Sequence, residues 1–295
     1  MEIKENINIQ DDKVTRGIGD LVSIIDTISN CGDEEITVNF SEFRFATPVY
    51  VVSLMLFLKS CGKRIVFRNL SPYLSTVRFH EPVRPDELGN ERFYALMGRQ
   101  EYKTYIPIIS FPASRNRASD KDAILTAIES LLSTKLKIAR NVSNGLKYII
   151  GEMVDNITEH SGSERGYLFA QYYPKKGFMD LCIADEGITL AGSFNNAGIE
   201  VADDVEAMMA ANKGISSKNL PDAENRGYGI FTSKKMLIKG LGGQYMMMSG
   251  GALYLYDSNT DQILALPNGN RWKGTIVALR LPTQKEEFDY SRYFE

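Results

Sequence analysis

Ile150-Gly-Glu-Met-Val-Asp-Asn-Ile-Thr-Glu-His160 is the stretch whose periodicity organises the chain. With Leu146 and Ile149 ahead of them, Ile150, Met153, Val154 and Ile157 form one apolar stripe with a period of about 3.6 residues, which predicts a helix over 141–160. Glu152 and Asn156 lie one turn apart and stack on one adjoining face. Asp155, Glu159 and His160 fall near that face. Taken alone, an amphipathic helix with a solvated acidic side explains these residues as well as a binding site does.

Downstream, strands are expected at 166–173 and 178–184, and the second runs directly into Asp185-Glu-Gly187. A carboxylate at a strand end sits where ligands approach an open sheet. It can accept a hydrogen bond from an exocyclic amine, contributing about 1.5–3 kcal/mol. Gly187 lets the backbone come close to a flat ring. A plain Asp-Gly turn is the competing reading. Residues 188–226 read as irregular apart from a helix at 203–211. Asn225-Arg-Gly-Tyr-Gly-Ile230 follows, with Gly227 and Gly229 at the start of a helix, where backbone N–H groups and the helix dipole favour phosphate. The third glycine of a dinucleotide fingerprint is missing, and Gly62-Lys63 is followed by Arg64, so no P-loop is present. Lys273-Gly-Thr275 then opens a late apolar strand, where a hydroxyl can reach a ring nitrogen through water. Further strands are expected at 244–248, 252–256 and 262–265.

Upstream, apolar residues at helical spacing run from Val14 to Ile28. A strand at 36–40, an apolar helix at 48–61 with Pro at its first turn, and a strand at 64–68 make a βαβ unit, which favours parallel pairing. Helical pieces broken by Pro72, Pro82 and Pro85 follow, then a change of character near residue 100, a strand from Tyr105 and a helix over 119–134.

The chain has 295 residues, room for about two domains of roughly 100–200 residues each. Hydrophobic residues at 43% and charged residues at 24% exclude a disordered tail protein, a collagen-like fibre and a membrane-helix bundle. Lys+Arg 34 against Asp+Glu 37 gives −3, so no basic groove is advertised and a nucleic-acid partner is not expected. Three widely spaced cysteines point to a reducing compartment rather than to a disulfide frame or a zinc site. The polar first residues do not read as a signal peptide. The longest apolar run, Pro48–Leu58, is about half of the roughly 20 residues a membrane span needs. No membrane association and a cytoplasmic location are therefore expected.

In order and spacing, Glu152-x-x-x-Asn156, Asp185-x-Gly187, a long loop closing on Gly227-x-Gly229-Ile230, and Gly274-Thr275 resemble the GHKL family. That family includes type II topoisomerase ATPase domains, the ninety-kilodalton heat-shock chaperone class, histidine kinases, mismatch-repair ATPases and anti-sigma-factor serine kinases. The resemblance implies an α+β protein whose 101–285 segment is an α/β sandwich of the Bergerat type: a mixed, mostly antiparallel sheet with helices on one face. It implies ATP and magnesium as ligands. Glu152 then matches the catalytic general base and Asn156 the metal ligand. Asp185 reads the adenine amine with Gly187 beside the ring, Gly227, Gly229 and Ile230 close the lid at the phosphates, and Thr275 makes a water-mediated base contact. The lid is about 188–226, and Lys213, Lys218 and Arg226 are its candidate phosphate ligands.

The segment 36–68 resembles a STAS domain, the fold of anti-sigma-factor antagonists, so 1–100 is expected to be a smaller α/β domain of that kind, with 286–295 a tail. Where those antagonists carry a phosphorylated Ser, this chain has Pro48 and Val49, with Thr47 nearby. A generic packing module is the competing reading. Phosphohistidine transfer fits poorly, because Pro82 and Pro85 break the helix that His80 would need. The chain ends shortly after the last strand, which leaves little room for the second domain of the topoisomerase, chaperone and repair classes. An ATPase or serine/threonine kinase acting by partner switching is expected, with a protein partner of unknown identity. The alternative is a non-catalytic, nucleotide-gated interaction module. A homodimer is compatible with the resemblance, although no interface signal stands out.

Overall fold

A computed structural model of the chain describes residue 1 and residues 13–100, 103–113, 122, 124–126, 140–215 and 234–283. The expected helix at 119–134 lies largely outside these residues, as does the expected helix start at Gly227 and the tail 286–295.

The first part runs α1 (Ile18–Asn30), β1 (Glu35–Asn39), α2 (Pro48–Ser60) and β2 (Arg64–Arg68), then three short helices, α3 (Pro72–Thr76), α4 (Pro85–Leu88) and α5 (Asn90–Arg99). β1 and β2 pair in parallel across α2, so the βαβ reading holds. α1 starts at Ile18 rather than at Val14, because residues 14–17 form a turn.

The second part begins with β3 (Tyr105–Pro112) and α6 (Arg140–His160), followed by β4 (Arg165–Tyr173) and β5 (Phe178–Asp185). Two helices come next, α7 (Leu190–Asn196) and α8 (Asp204–Asn212). The described end of the next helix closes in a π-helical turn at Met236–Gly240. The chain finishes with β6 (Gln244–Gly250), β7 (Ala252–Tyr256), β8 (Asp261–Ala265) and β9 (Trp272–Pro282). Strands β3 to β9 form one seven-stranded sheet in the order β3-β4-β5-β9-β6-β7-β8, and each of its described neighbour pairs is antiparallel. A single parallel bridge from Val83 to Ile109 ties the first part to the edge strand β3.

Among the described residues, the helices of the second part pack on one face of this sheet, and α2 of the first part covers the other. The alternation of side chains along each strand sends Leu168, Ile183, Val277 and Met247 to one face, where Ile149, Ile150, Met153 and Ile157 of α6 meet them. The other set, Phe169, Cys182, Ala278 and Met246, joins Val51, Leu54 and Leu58 of α2 in a second core. β5 is consequently buried along its whole length. The same geometry explains α2. Ten of its thirteen residues are buried, because it packs against α1 and against β4, β5 and β9 within a core that also takes in Ile36 and Val38 of β1. A helix apolar all round needs such a place between layers.

One polar row crosses this second interface. Gln171, Asp180, Arg280 and Gln244 are register partners on adjacent strands. The Arg280 guanidinium donates from Nε to Asp180 Oδ1 at 2.7 Å and from Nη2 to Oδ2 at 2.8 Å. Its carbon lies 3.9 Å above the Phe178 ring. Gln244 accepts the Val14 N–H at 2.7 Å, and the Tyr73 hydroxyl, which donates to the Ala46 carbonyl at 2.8 Å, lies 3.2 Å from the Gln171 side-chain amide. The first hundred residues thus reach the sheet with hydrogen bonds as well as with hydrocarbon.

Candidate functional site

β5 ends where α6 ends. Asp185 closes the strand and is only 3% exposed. Its Oδ1 accepts the Gly187 N–H at 2.8 Å, and the Thr275 backbone N–H is a second donor to the carboxylate. Burial pushes the Asp185 carboxyl up to about 7; the two N–H donors oppose that shift, and the Glu186 charge adds to it. This carboxyl therefore titrates near neutrality, as pocket groups with a specific role often do.

Two glycines make the place tight. A Cβ on Gly187 would run into the Ser161 carbonyl, just past the end of α6. The same carbonyl accepts the Ile188 N–H at 2.6 Å, so the loop after β5 is bound to the end of the helix. Gly274 has φ +78°, a left-handed conformation that favours glycine, and a Cβ there would meet the backbone and Oδ1 of Asp185. Next to it, Thr275 pairs with Ser249 of β6, and their hydroxyl oxygens are 3.0 Å apart. The alternation along the strands puts Asp185 with Leu181 and Ile183, Thr275 with Val277 and Leu279, and Ser249 with Tyr245 and Met247. All three therefore belong to the sheet face that α6 covers.

On α6, Leu146, Ile149, Ile150, Met153, Val154 and Ile157 are buried, as the stripe requires, while Glu152 and Asn156 are half-buried on its flank. Tyr148, one turn before Glu152, is hydrogen-bonded to it; burial first, then the Glu152 charge, raises the Tyr148 phenol to about 12. At about 1.5 Å per residue, Asn156 and Glu152 stand about 8 and about 14 Å along the axis from Ser161. The Asp185 carboxylate near Ser161, the Asn156 amide and the Glu152 carboxylate thus follow one another in the direction of the helix axis.

Segment 188–215 holds more order than its sequence suggested. Thr189 caps α7 and Asp203 caps α8. The Leu190 N–H donates to Ser249 Oγ at 3.0 Å. The buried Asp204 accepts the Gly251 N–H at 2.7 Å and pairs with Arg271 at 2.7 Å. Both helices are thereby fastened to the β6–β7 turn. Lys213, at the end of α8, is exposed.

The structure therefore brings Asp185, Gly187 and Thr275 together and sets Glu152 and Asn156 on the helix that ends beside them. Lys218, Arg226, Gly227, Gly229 and Ile230 lie outside the described residues. Ser161, Ser249 and Tyr148 join the site without having been anticipated. The only signal for Ser161 was its position one residue past the helix, and none marked Ser249. Among the described residues no group of three or more His, Cys, Asp and Glu forms a metal cage, and no helix is long and apolar enough to cross a membrane. No protein-family model matches this sequence, and no curated protein matches it at a significant level.

The raised Asp185 value has a measurable consequence. Its stability penalty is fully present above about pH 7 and is lost as pH falls toward the ordinary carboxyl range. Asp185→Asn removes the charge and keeps an acceptor for Gly187. The variant should gain stability over wild type at pH 8, by at most about 4 kcal/mol at 1.36 kcal/mol per unit, and the gain should shrink steadily toward pH 4. Urea unfolding across that range checks it; a difference independent of pH would contradict the assigned titration.

Proposed function

We propose that the chain binds magnesium-ATP in the manner of the GHKL family and acts as an ATPase or a serine/threonine protein kinase in regulation by partner switching. In this reading 101–285 is the Bergerat-type nucleotide module with its lid at about 188–226, and 1–100 is a STAS-like module facing a protein partner in the cytoplasm. The observation that carries the reading is the convergence of Asp185, Gly187 and Gly274-Thr275 beside the end of α6, the helix that bears Asn156 and Glu152.

The donor set fits the ligand. Asp185 accepts from an exocyclic amine, and the absence of side chains at Gly187 and Gly274 lets the Ser161 carbonyl and the Asp185 backbone close in around that carboxylate. The Asn156 amide oxygen suits a hard cation that keeps most of its ligands as water and phosphate oxygens. When bound, that cation neutralises charge on the phosphates. Glu152 takes the proton of an attacking water or a partner's hydroxyl. The new O–P bond forms at the γ-phosphorus, the bond to the β–γ bridging oxygen breaks, and ADP leaves with that electron pair.

Calorimetric titration of the full chain with ATP, with and without magnesium, tests the binding step. Wild type should bind, and Asn156→Ala should lose the magnesium-dependent part of its affinity by at least the roughly 10–100-fold that supporting groups of a metal site contribute. Absence of any binding by wild type would refute the reading; undiminished affinity in the variant would remove Asn156 from the metal site.

A further inference from the structure

Ser249 is 1% exposed and sits where three elements meet. It belongs to β6, opposite Thr275 of β9, immediately before a register shift between Ser249 and Gly250. Such irregularities often lie beside functional sites. Its Oγ has three neighbours: the Gly274 carbonyl at 3.1 Å, the Leu190 N–H at 3.0 Å and the Thr275 hydroxyl at 3.0 Å.

Proton counting settles the direction of each bond. A carbonyl only accepts, so the single Ser249 proton goes to Gly274. The Leu190 N–H only donates, so it takes one lone pair of Ser249. The remaining lone pair faces Thr275, whose own hydroxyl proton must therefore point at Ser249. Thr275 is left with nothing but lone pairs for a third partner, and the adjoining Asp185 carboxylate, which takes the Thr275 backbone N–H, is also an acceptor.

We propose that Ser249 is a positioning residue that fixes the Thr275 hydroxyl as an acceptor and thereby makes the Asp185 pocket select an amino-substituted base over a 6-oxo base. The inference rests on the nucleotide reading given above. It goes beyond that reading in naming what holds the threonine hydroxyl in one polarity. A hydroxyl free to rotate would donate to a ring carbonyl and tolerate the wrong base; one whose proton is already engaged leaves that carbonyl facing lone pairs. The same serine also accepts from the first residue of α7. Base selection and the start of the segment above the pocket therefore share one atom.

The test compares ADP with inosine diphosphate, which has a carbonyl in place of the amine, by calorimetry on the full chain at about pH 8.5, where the Asp185 carboxyl is ionised and only accepts. Wild type should prefer ADP. Ser249→Ala should narrow that preference by about tenfold, mainly through tighter inosine diphosphate binding. Thr275→Val should abolish the effect of Ser249→Ala on the ratio, a non-additivity that a merely structural role would not produce. If Ser249→Ala does not fold, Ser249→Cys, a weaker partner at the same place, should narrow the ratio in the same direction. An unchanged ratio in a folded variant overturns the proposal and leaves the nucleotide reading standing. A wild type that binds both diphosphates equally does the same. A wild type that binds neither overturns both.

Discussion

Glu152→Ala should lower ATP consumption by about 10²–10⁴-fold, the range associated with removing a general base, while ADP binding stays near the wild-type level. The separation of the two effects follows from position. Glu152 lies about two and a half helical turns from Ser161, whereas the proposed base site comprises Asp185, Gly187, Gly274 and Thr275. The Glu152 carboxylate also accepts the Tyr148 hydrogen bond, which restrains its rotamer on the helix flank. Tyr148→Phe should therefore reduce turnover far less than Glu152→Ala, because it removes a restraint and not the proton acceptor. A coupled assay for ADP release, run beside a titration with ADP, reads both quantities. If wild type and variant are equally inert while ATP still raises the melting temperature, the enzyme reading fails and the nucleotide-gated interaction module takes its place.

Arg280→Ala should destabilise the protein by about 3–5 kcal/mol, the cost of stranding one member of a buried ion pair. Asp180 is 1% exposed and Arg280 is 4% exposed, so neither charge has water to fall back on. Burial already pushes the Asp180 carboxyl up, and the Arg280 guanidinium is what holds it down. Without that guanidinium, Asp180 must take up a proton or remain charged among Phe178, Tyr173 and the α2 core. Replacing both at once, Asp180→Leu with Arg280→Met, should cost much less than Arg280→Ala alone. Guanidinium unfolding curves of the two variants decide the matter. A loss below 1 kcal/mol for Arg280→Ala would mean that the pair is not desolvated as described.

The parts of the fold that could be read from the chain are those in which one short segment carries its own pattern. The α6 stripe announces itself because each of its apolar positions faces the same core. Pro48 and the apolar run behind it mark α2, and two β-branched runs flank it as parallel strands. Asp185 could be picked out because a strand ends on it and a glycine follows. What escaped notice depends on contacts between distant segments. That both sheet faces would be covered follows from α2 reaching β4, β5 and β9, which no local period encodes. α7 is short and owes its start to the Thr189 cap and to Ser249, more than fifty residues away. Ser249 itself is one serine among many until the register of β6 and β9 places it opposite Thr275.

The helix Pro48–Ser60 serves two layers at once, and this has a consequence for how such a protein can change over time. A boundary near residue 100 looks like a natural joint for recombination, yet the faces on either side of it have been fitted to each other. A replacement for the first segment would have to match Phe169, Cys182, Met246 and Ala278, and to offer partners to Gln171 and Gln244. Modularity is therefore low. The two halves are expected to be inherited together and to drift in step, with compensating substitutions concentrated on α2 and on the strand faces beneath it.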